Sequence, residues 1–296
     1  MPTGSSGADT SWLVALLWAT LYFATPLVLA AMGGVFSERS GVVNIALEGL
    51  MLAGAFVGVW AGQSSGVLGL LAALGVGALL GLLHAFLTQQ LHMNHVVSGL
   101  GINLLAAGGT RYLNQILFPK GEHIEGLPAN FFLFLALLLP LVTLWILHRT
   151  RFGLRLRAVG ENPESARMAG ISPGPIRYLA VMLSGVLAAL GGAYLSMGEA
   201  HNFSRDMSAN KGYIALAAVI FGKWNPLGAA GGALFFGFFF ALQTQLQISG
   251  IQARWLGVDW SSPFLLDMLP YLMTLVALIT VVGRATPPAA LGQEEE

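Results

Sequence analysis

Cysteine is absent from the 296 residues, and only 9% of them carry charge. The first absence removes disulfides, thiolate nucleophiles and cysteine metal sites. The second is the stronger constraint. A water-facing domain carries roughly 25% charged residues, so this chain cannot dress a surface in water and its outer solvent must be lipid. The formal net charge is zero, which argues against nucleic acid as a partner. No Gly-x-x-x-x-Gly-Lys-Ser/Thr phosphate loop occurs, so ATP hydrolysis would have to come from elsewhere. No nucleophile–base pair or metal set stands out either, so an enzyme is not expected, nor a cofactor or metal.

What is present is apolar. Hydrophobic residues make up 55% of the chain and the mean hydropathy is +0.72. A helix needs roughly 20 apolar residues to cross a bilayer, and a charge buried at its centre costs at least ~2.5 kcal/mol. The gaps between charges therefore mark spans. They fall at 10–37, 49–110, 126–148, 178–198, 224–253 and 268–283. The long run 49–110 is broken by polar clusters at Gln63–Ser65 and Gln89–His95, and holds two to three spans. A brief run, 212–222, reads as a half-helix or re-entrant piece. The first run lacks a basic leader and is too long for a signal peptide, so it reads as a retained span. The expectation is an all-α polytopic transmembrane bundle, a single domain over 1–296, with about eight membrane segments.

Six of the fourteen basic residues, Arg149, Arg151, Arg155, Arg157, Arg167 and Arg177, lie within 149–177. The positive-inside rule makes that segment cytoplasmic. The segments 113–130 and 199–211 then fall outside, and the acidic tail Glu294–Glu296 falls inside. Within the cytoplasmic loop, Asn162 is a strong N-cap type and Pro163 suits the first helical position. Glu164 complements the helix dipole, and Gly170 can adopt the left-handed stop. The spacing predicts a capped two-turn helix over 163–169. Such an element is either a solvated connector or a handle that a motor protein grips.

Polar residues inside apolar runs are the other candidates. Asn44 and Glu48 are four apart and would share a helix face. Glu48 is the only acid bordering the run 49–110. It reads as part of a translocation path or as a clamp between helices. His84, Asn103, Gln243 and Gln245 read as interhelical hydrogen bonds or as solute contacts. His92 and His95, beside Asn94, mark an interfacial turn. Small-residue spacing at Gly69, Gly77 and Gly81, and at Gly228, Gly232 and Gly237, suits close helix packing. Ile45-Ala46-Leu47 recurs as Ile214-Ala215-Leu216, a faint echo of two related halves with broken helices.

Two stretches carry a family resemblance. Val159 to Ile171 resembles the coupling loop of permeases in the bacterial ribose, nucleoside and branched-chain amino-acid importers. It keeps Gly160, Asn162, Ala166, Gly170 and Ile171 of the pattern Gly-x-Asn-x-x-Ala-Ala-x-x-x-Gly-Ile, with Ser165 replacing the first alanine. Glu38 to Leu52 resembles the narrower group of nucleoside permeases paired with basic-membrane lipoproteins. The Gly-Ile-Asp-Leu-Ser-Val-Gly of sugar permeases is absent. Gly212–Gly228 and Met268–Leu275 agree with that group. The resemblance implies a permease of an ATP-driven importer in the bacterial cytoplasmic membrane, moving a nucleoside or, next, a simple sugar. It implies as partners a second permease, identical or different, a cytoplasmic ATPase, and an extracytoplasmic binding protein or lipoprotein. Gly160, Asn162, Pro163, Ala166, Gly170 and Ile171 would couple to the ATPase. Asn44, Glu48, Asn103 and Gln243 would be candidates for the solute path. An ion-driven transporter, which needs several deep charges, is the rival.

Overall fold

The computed structural model describes residues 6–118, 124–249, 254–255, 258–259, 268, 270, 272–273, 275–276 and 286–293. The expected last span, 268–283, falls mostly outside these residues, and the tail Glu294–Glu296 wholly so. Each charge-free run that is described becomes helix. Run 10–37 lies in α1 (Ser6–Arg39), and run 49–110 becomes three helices: α2 (Leu47–Gly62), α3 (Gly66–Gln89) and α4 (His95–Leu117). They are followed by α5 (Ala129–Arg149), α6 (Arg151–Glu161), α7 (Pro163–Met168) and α8 (Pro173–Ala193). A π-helical turn, Tyr194–Glu199, extends α8. Then come α9 (Lys211–Phe221) and α10 (Pro226–Ser249), and a two-residue hairpin pairs Arg254 with Asp259 and Trp255 with Val258.

Five of the described helices are long and apolar enough to cross a membrane: α1, α3, α5, α8 with its π turn, and α10. α4 has the length but carries His95, Ser98, Asn103 and Thr110 on its buried side. The remaining apolar helices, α2 and α9, are short. At 1.5 Å per residue, the 11 residues of α9 reach only about halfway through ~30 Å of hydrocarbon.

The core is built around α1, α2 and α8, with α3 laid along α8 and α10 along α1. Without a hydrophobic drive between helices in lipid, association depends on close backbone approach. Gly77 of α3 and Gly185 of α8 face each other so closely that a β-carbon on either would collide with the other's carbonyl oxygen. Pro26, within α1, has no N–H for the Tyr22 carbonyl one turn back. The Tyr194 hydroxyl takes that role and donates to Tyr22 O at 3.1 Å. The π turn is thereby fastened to the proline turn.

Candidate functional site: two broken helices and an adjoining capped helix

Between α1 and α2 the chain leaves helical geometry for seven residues, Ser40–Ala46. Within a bilayer, backbone groups freed in this way must find partners inside the protein. They do, and the partners come from three other helices. Arg177 Nε of α8 donates to Ser40 O at 3.2 Å. His84 Nε2 of α3 meets Val43 O at 3.1 Å, and its Nδ1 meets the Ser98 hydroxyl at 2.8 Å. Val43 N donates to His95 Nδ1 at 3.3 Å. Asn103 Nδ2 of α4 donates to Ile45 O at 2.9 Å. Four polar side chains that looked scattered in sequence thus serve one interruption.

The break also corrects an expectation. Asn44 and Glu48 do not share a helix face, because the helix starts at Leu47. Asn44 is buried in the break and donates to Ser184 Oγ of α8 at 2.8 Å. Glu48, in the first turn of α2, points to α9. Its Oε1 accepts from the Ser208 hydroxyl at 2.6 Å and from Asn210 N at 2.9 Å; its Oε2 accepts from Gly212 N at 2.7 Å. A carboxylate that accepts backbone N–H groups at a helix N-terminus is favoured by hydrogen bonding and dipole alike. The two broken helices therefore meet start to start. At Gly212 a β-carbon would strike the Glu48 backbone, so only glycine allows the contact. Asn103 completes the bracket: its Oδ1 accepts from Gly49 N at 2.7 Å, and its Nδ2 also donates to the Tyr213 hydroxyl at 2.9 Å.

The far end of α9 is fastened to α1. Trp224, in the tight turn after α9, donates its indole N–H to the buried Glu38 carboxylate. Arg39 Nε donates to the Trp224 carbonyl at 2.8 Å. Trp224 sits at φ +55°, a left-handed conformation that costs a bulky residue about 1–2 kcal/mol; these two bonds hold it there. Arg39 also lies 3.8 Å from Glu161, the last residue of α6. That pair is part-exposed and adds little to stability, but it joins α1 to the arginine-rich segment.

α7 follows directly. Asn162 Oδ1 accepts from Ser165 N at 2.8 Å, Pro163 is the first helical residue, and Glu164 occupies the first turn. The helix ends at Met168, with Gly170 at φ +77°. Gly170 N donates to Arg167 O and Ile171 N to Ala166 O, both at 2.9 Å, the paired bonds of a Schellman stop. Ala166 is buried, whereas Met168 is 80% exposed. Gly160 sits against the Arg39 carbonyl, where a side chain would collide. The segment 286–293 crosses the same spot: Ala290 N donates to Gly160 O at 2.9 Å and Gly292 N to Gly41 O at 3.0 Å.

Depth follows from helix rise. Asn103 lies eight residues, about 12 Å, along α4 from His95 at the arginine-rich end. Glu48 lies fourteen residues, about 21 Å, along α2 from Gly62 at the opposite end. Both stand near mid-bundle. The segment 200–210 starts at that opposite end, where Ile124 N donates to His201 O at 3.0 Å and Arg111 meets Asp206 at 2.8 Å. It then descends to Glu48. Gln243 is half-buried on α10, which packs against α1, α9 and α5. Glu38, Arg39, Tyr213 and Ser208 were not singled out as path residues from sequence. The signal available for the first two was the matched stretch beginning at Glu38.

Comparison with known proteins follows the same line. The family described as branched-chain amino acid transport system / permease component matches residues 16–278. The guanosine ABC transporter permease protein NupQ of Bacillus subtilis is 40% identical, covering 93% of this chain and 94% of its own. The nucleoside ABC transporter permease protein NupC of Lactococcus lactis is 38% identical, covering 92% and 93%. The putative glucose ABC transporter permease protein TsgC13 of Haloferax volcanii is 35% identical, covering 93% of each. No solved structure gives a significant match.

Proposed function

The chain belongs to the family of branched-chain amino acid transport system permease components, and from that premise we propose that its solute is a nucleoside. Such a permease is a transport subunit rather than an enzyme. Its family works with an ATPase and a binding protein, and the energy comes from the ATPase. The nucleoside reading is supported by the relatives named for guanosine and nucleosides and by the stretch Glu38–Leu52. A simple sugar is the second reading, favoured by the relative named for glucose.

The observation that carries the mechanism is the unbroken set of contacts from α7 to α9. α7 is the handle on the cytoplasmic side, gripped through the exposed face around Met168, and Gly160, Asn162, Pro163, Ala166, Gly170 and Ile171 shape it. Movement of the handle reaches Glu161, passes to Arg39, and reaches Trp224 at the end of α9. Glu48 holds the other end of α9 against α2. The two broken helices therefore move as a pair, and they form the wall of the solute path near mid-membrane. Glu48 and Asn103 act on that path by holding its wall, Asn44 by anchoring the break to α8, and Gln243 from α10. A second permease, like or unlike this chain, completes the path from the other side. α4 offers it a face of Leu100, Leu104 and Leu105 with Gly101 and Gly108 open beside them.

The test is uptake of labelled guanosine and labelled glucose by cells carrying this chain with its partner subunits. Guanosine should enter in preference to glucose, and entry should cease when the partner ATPase is inactivated. Preferential glucose entry would transfer the assignment to sugars. Entry that persists without ATPase activity would replace it with an ion-driven transporter. Glu161→Gln, which removes the charge of the pair and leaves the Arg39–Trp224 bond in place, should cut uptake by roughly tenfold while the protein stays folded, because a part-exposed ion pair contributes at most ~1 kcal/mol to stability; unimpaired uptake would break the proposed link.

A further inference from the structure

α6 mixes arginines with apolar residues at helical spacing. Gly153, Leu156, Val159 and Gly160 form its buried face. On the other side Arg151, Leu154 and Arg155 stand at i, i+3 and i+4, which places them on one face. All three are exposed, Leu154 by 63%, so this leucine is no part of the core. Arg149, the last residue of α5, is exposed as well and extends the basic surface. Among the described residues no carboxylate pairs with any of these three arginines. Glu161, the acid on α6, faces Arg39 at 3.8 Å and lies six residues, about 9 Å, beyond Arg155.

The seat of α6 sets its depth. Only Thr150 separates it from α5, and Gly153 rests on the last turn of α5. A β-carbon at Gly153 would strike the Ile146 carbonyl oxygen and the Leu147 backbone. α6 therefore starts level with the end of an apolar span, Ala129–Arg149, rather than beyond it. The exposed Trp145, one turn before Arg149, marks the same level, because tryptophan concentrates at the membrane–water boundary. At that depth a planar guanidinium meets lipid phosphates with matching geometry, and its apolar stem lies along hydrocarbon. We infer that the outer face of α6 binds the headgroups of anionic phospholipid. Arg151 and Arg155 take the phosphates, and Leu154 sits among the upper acyl chains. α6 ends at Glu161, beside Arg39, and runs straight into α7. The lipid surface thus steadies the platform from which the handle projects.

The chain has no cysteine, so Leu154→Cys places a single fluorescent label on the full chain. Leu71→Cys, at an exposed position on α3, is the reference away from the arginines. Each is reconstituted in vesicles of equal parts phosphatidylglycerol and phosphatidylcholine, with a quenching spin label carried on one lipid or the other. Near an anionic surface each arginine is worth about a fivefold preference. At position 154 the association constant of phosphatidylglycerol should therefore exceed that of phosphatidylcholine at least about fivefold, and at position 71 the two should be near parity. Adding Arg151→Gln with Arg155→Gln should abolish the preference at 154, whereas Arg151→Lys with Arg155→Lys should keep most of it, since the charge remains. The comparison of the two lipids in the Leu154→Cys chain decides the matter even if the glutamine pair fails to fold. Equal quenching by the two lipids at 154 refutes the anionic site, and an equal preference at 71 refutes it in favour of diffuse charge. A label at 154 that neither lipid quenches also refutes it. Shielding of that label from aqueous iodide once the partner ATPase is added would then assign the face to that protein. The readout involves no solute, so its failure is separate from that of the nucleoside reading.

Discussion

At the scale of single residues, the bundle spends its few polar groups on its own backbone. Glu48 shows the strength of such a contact, since one carboxylate receives a hydroxyl and two backbone N–H groups at 2.6–2.9 Å. Hydrogen bonds to charged groups contribute about 1.5–3 kcal/mol each. Glu48→Gln keeps the shape but converts one acceptor oxygen into a donor facing an N–H or hydroxyl. The expected result is a melting temperature lowered by several degrees and uptake reduced at least tenfold. Unfolding of the purified protein and the guanosine assay check the two together, and unchanged values in both would remove Glu48 from the bracket. Asn103→Ala strips partners from Ile45 O and Gly49 N. Hydrogen bonds between membrane helices are worth only ~0.6–2 kcal/mol, so this variant should be destabilised but still foldable. Its measurable sign would be faster hydrogen exchange at Gly49 than in the parent chain. Asn103 was visible in sequence as a polar residue in an apolar run, but its partners were not. They are Ile45 O in the break, Gly49 N in the first turn of α2 and the Tyr213 hydroxyl of α9, all distant in sequence.

At the scale of elements, local chemistry was legible and long-range chemistry was not. The caps of α7 could be read directly because Asn162, Pro163 and Gly170 act on backbone groups within three or four residues. The helix ends at Met168, one residue short of expectation. α6 was missed. Its buried face of Gly153, Leu156 and Val159 is interleaved with Arg151, Arg155 and Arg157, and the density of charge reads as a solvated loop. The half-helix α9 was foreseen from its flanking charges, but its fastening at both ends was not, because Glu48 and Glu38 lie 164 and 186 positions from the groups they hold, Gly212 and Trp224. Gly170→Ala follows from what was legible. The space around Gly170 is open, so the penalty is confined to φ +77° and amounts to ~1–2 kcal/mol. That is enough to fray a two-turn helix and too little to disturb the bundle. The variant should melt within a degree or two of the parent, yet stimulate the partner ATPase several-fold less. Equal stimulation would mean that the ordered helix end plays no part in coupling.

At the scale of the molecule, the arrangement has two faces joined by the pair of broken helices, and the absence of cysteine makes its orientation directly testable. The arginine-rich end carries α7, the Arg39–Glu161 contact and the segment 286–293; the opposite end carries the turn at Gln63–Ser65. Cytoplasmic loops retain Lys and Arg because moving them across the membrane during insertion is unfavourable, and on that rule the α7 end is proposed to face inside. Two single-cysteine variants separate the possibilities. Met168→Cys uses a side chain that is 80% exposed on the handle, and Ser64→Cys uses an exposed position between α2 and α3. A membrane-impermeant maleimide added to intact cells should label Ser64→Cys and leave Met168→Cys untouched until the membrane is opened. With the reverse pattern, no cytoplasmic ATPase could reach α7, and the chain of contacts from Glu161 through Arg39 to Trp224 would lose its motor. Labelling of both variants in intact cells would place α7 at an aqueous surface open to the outside, an equally fatal outcome for coupling through that helix.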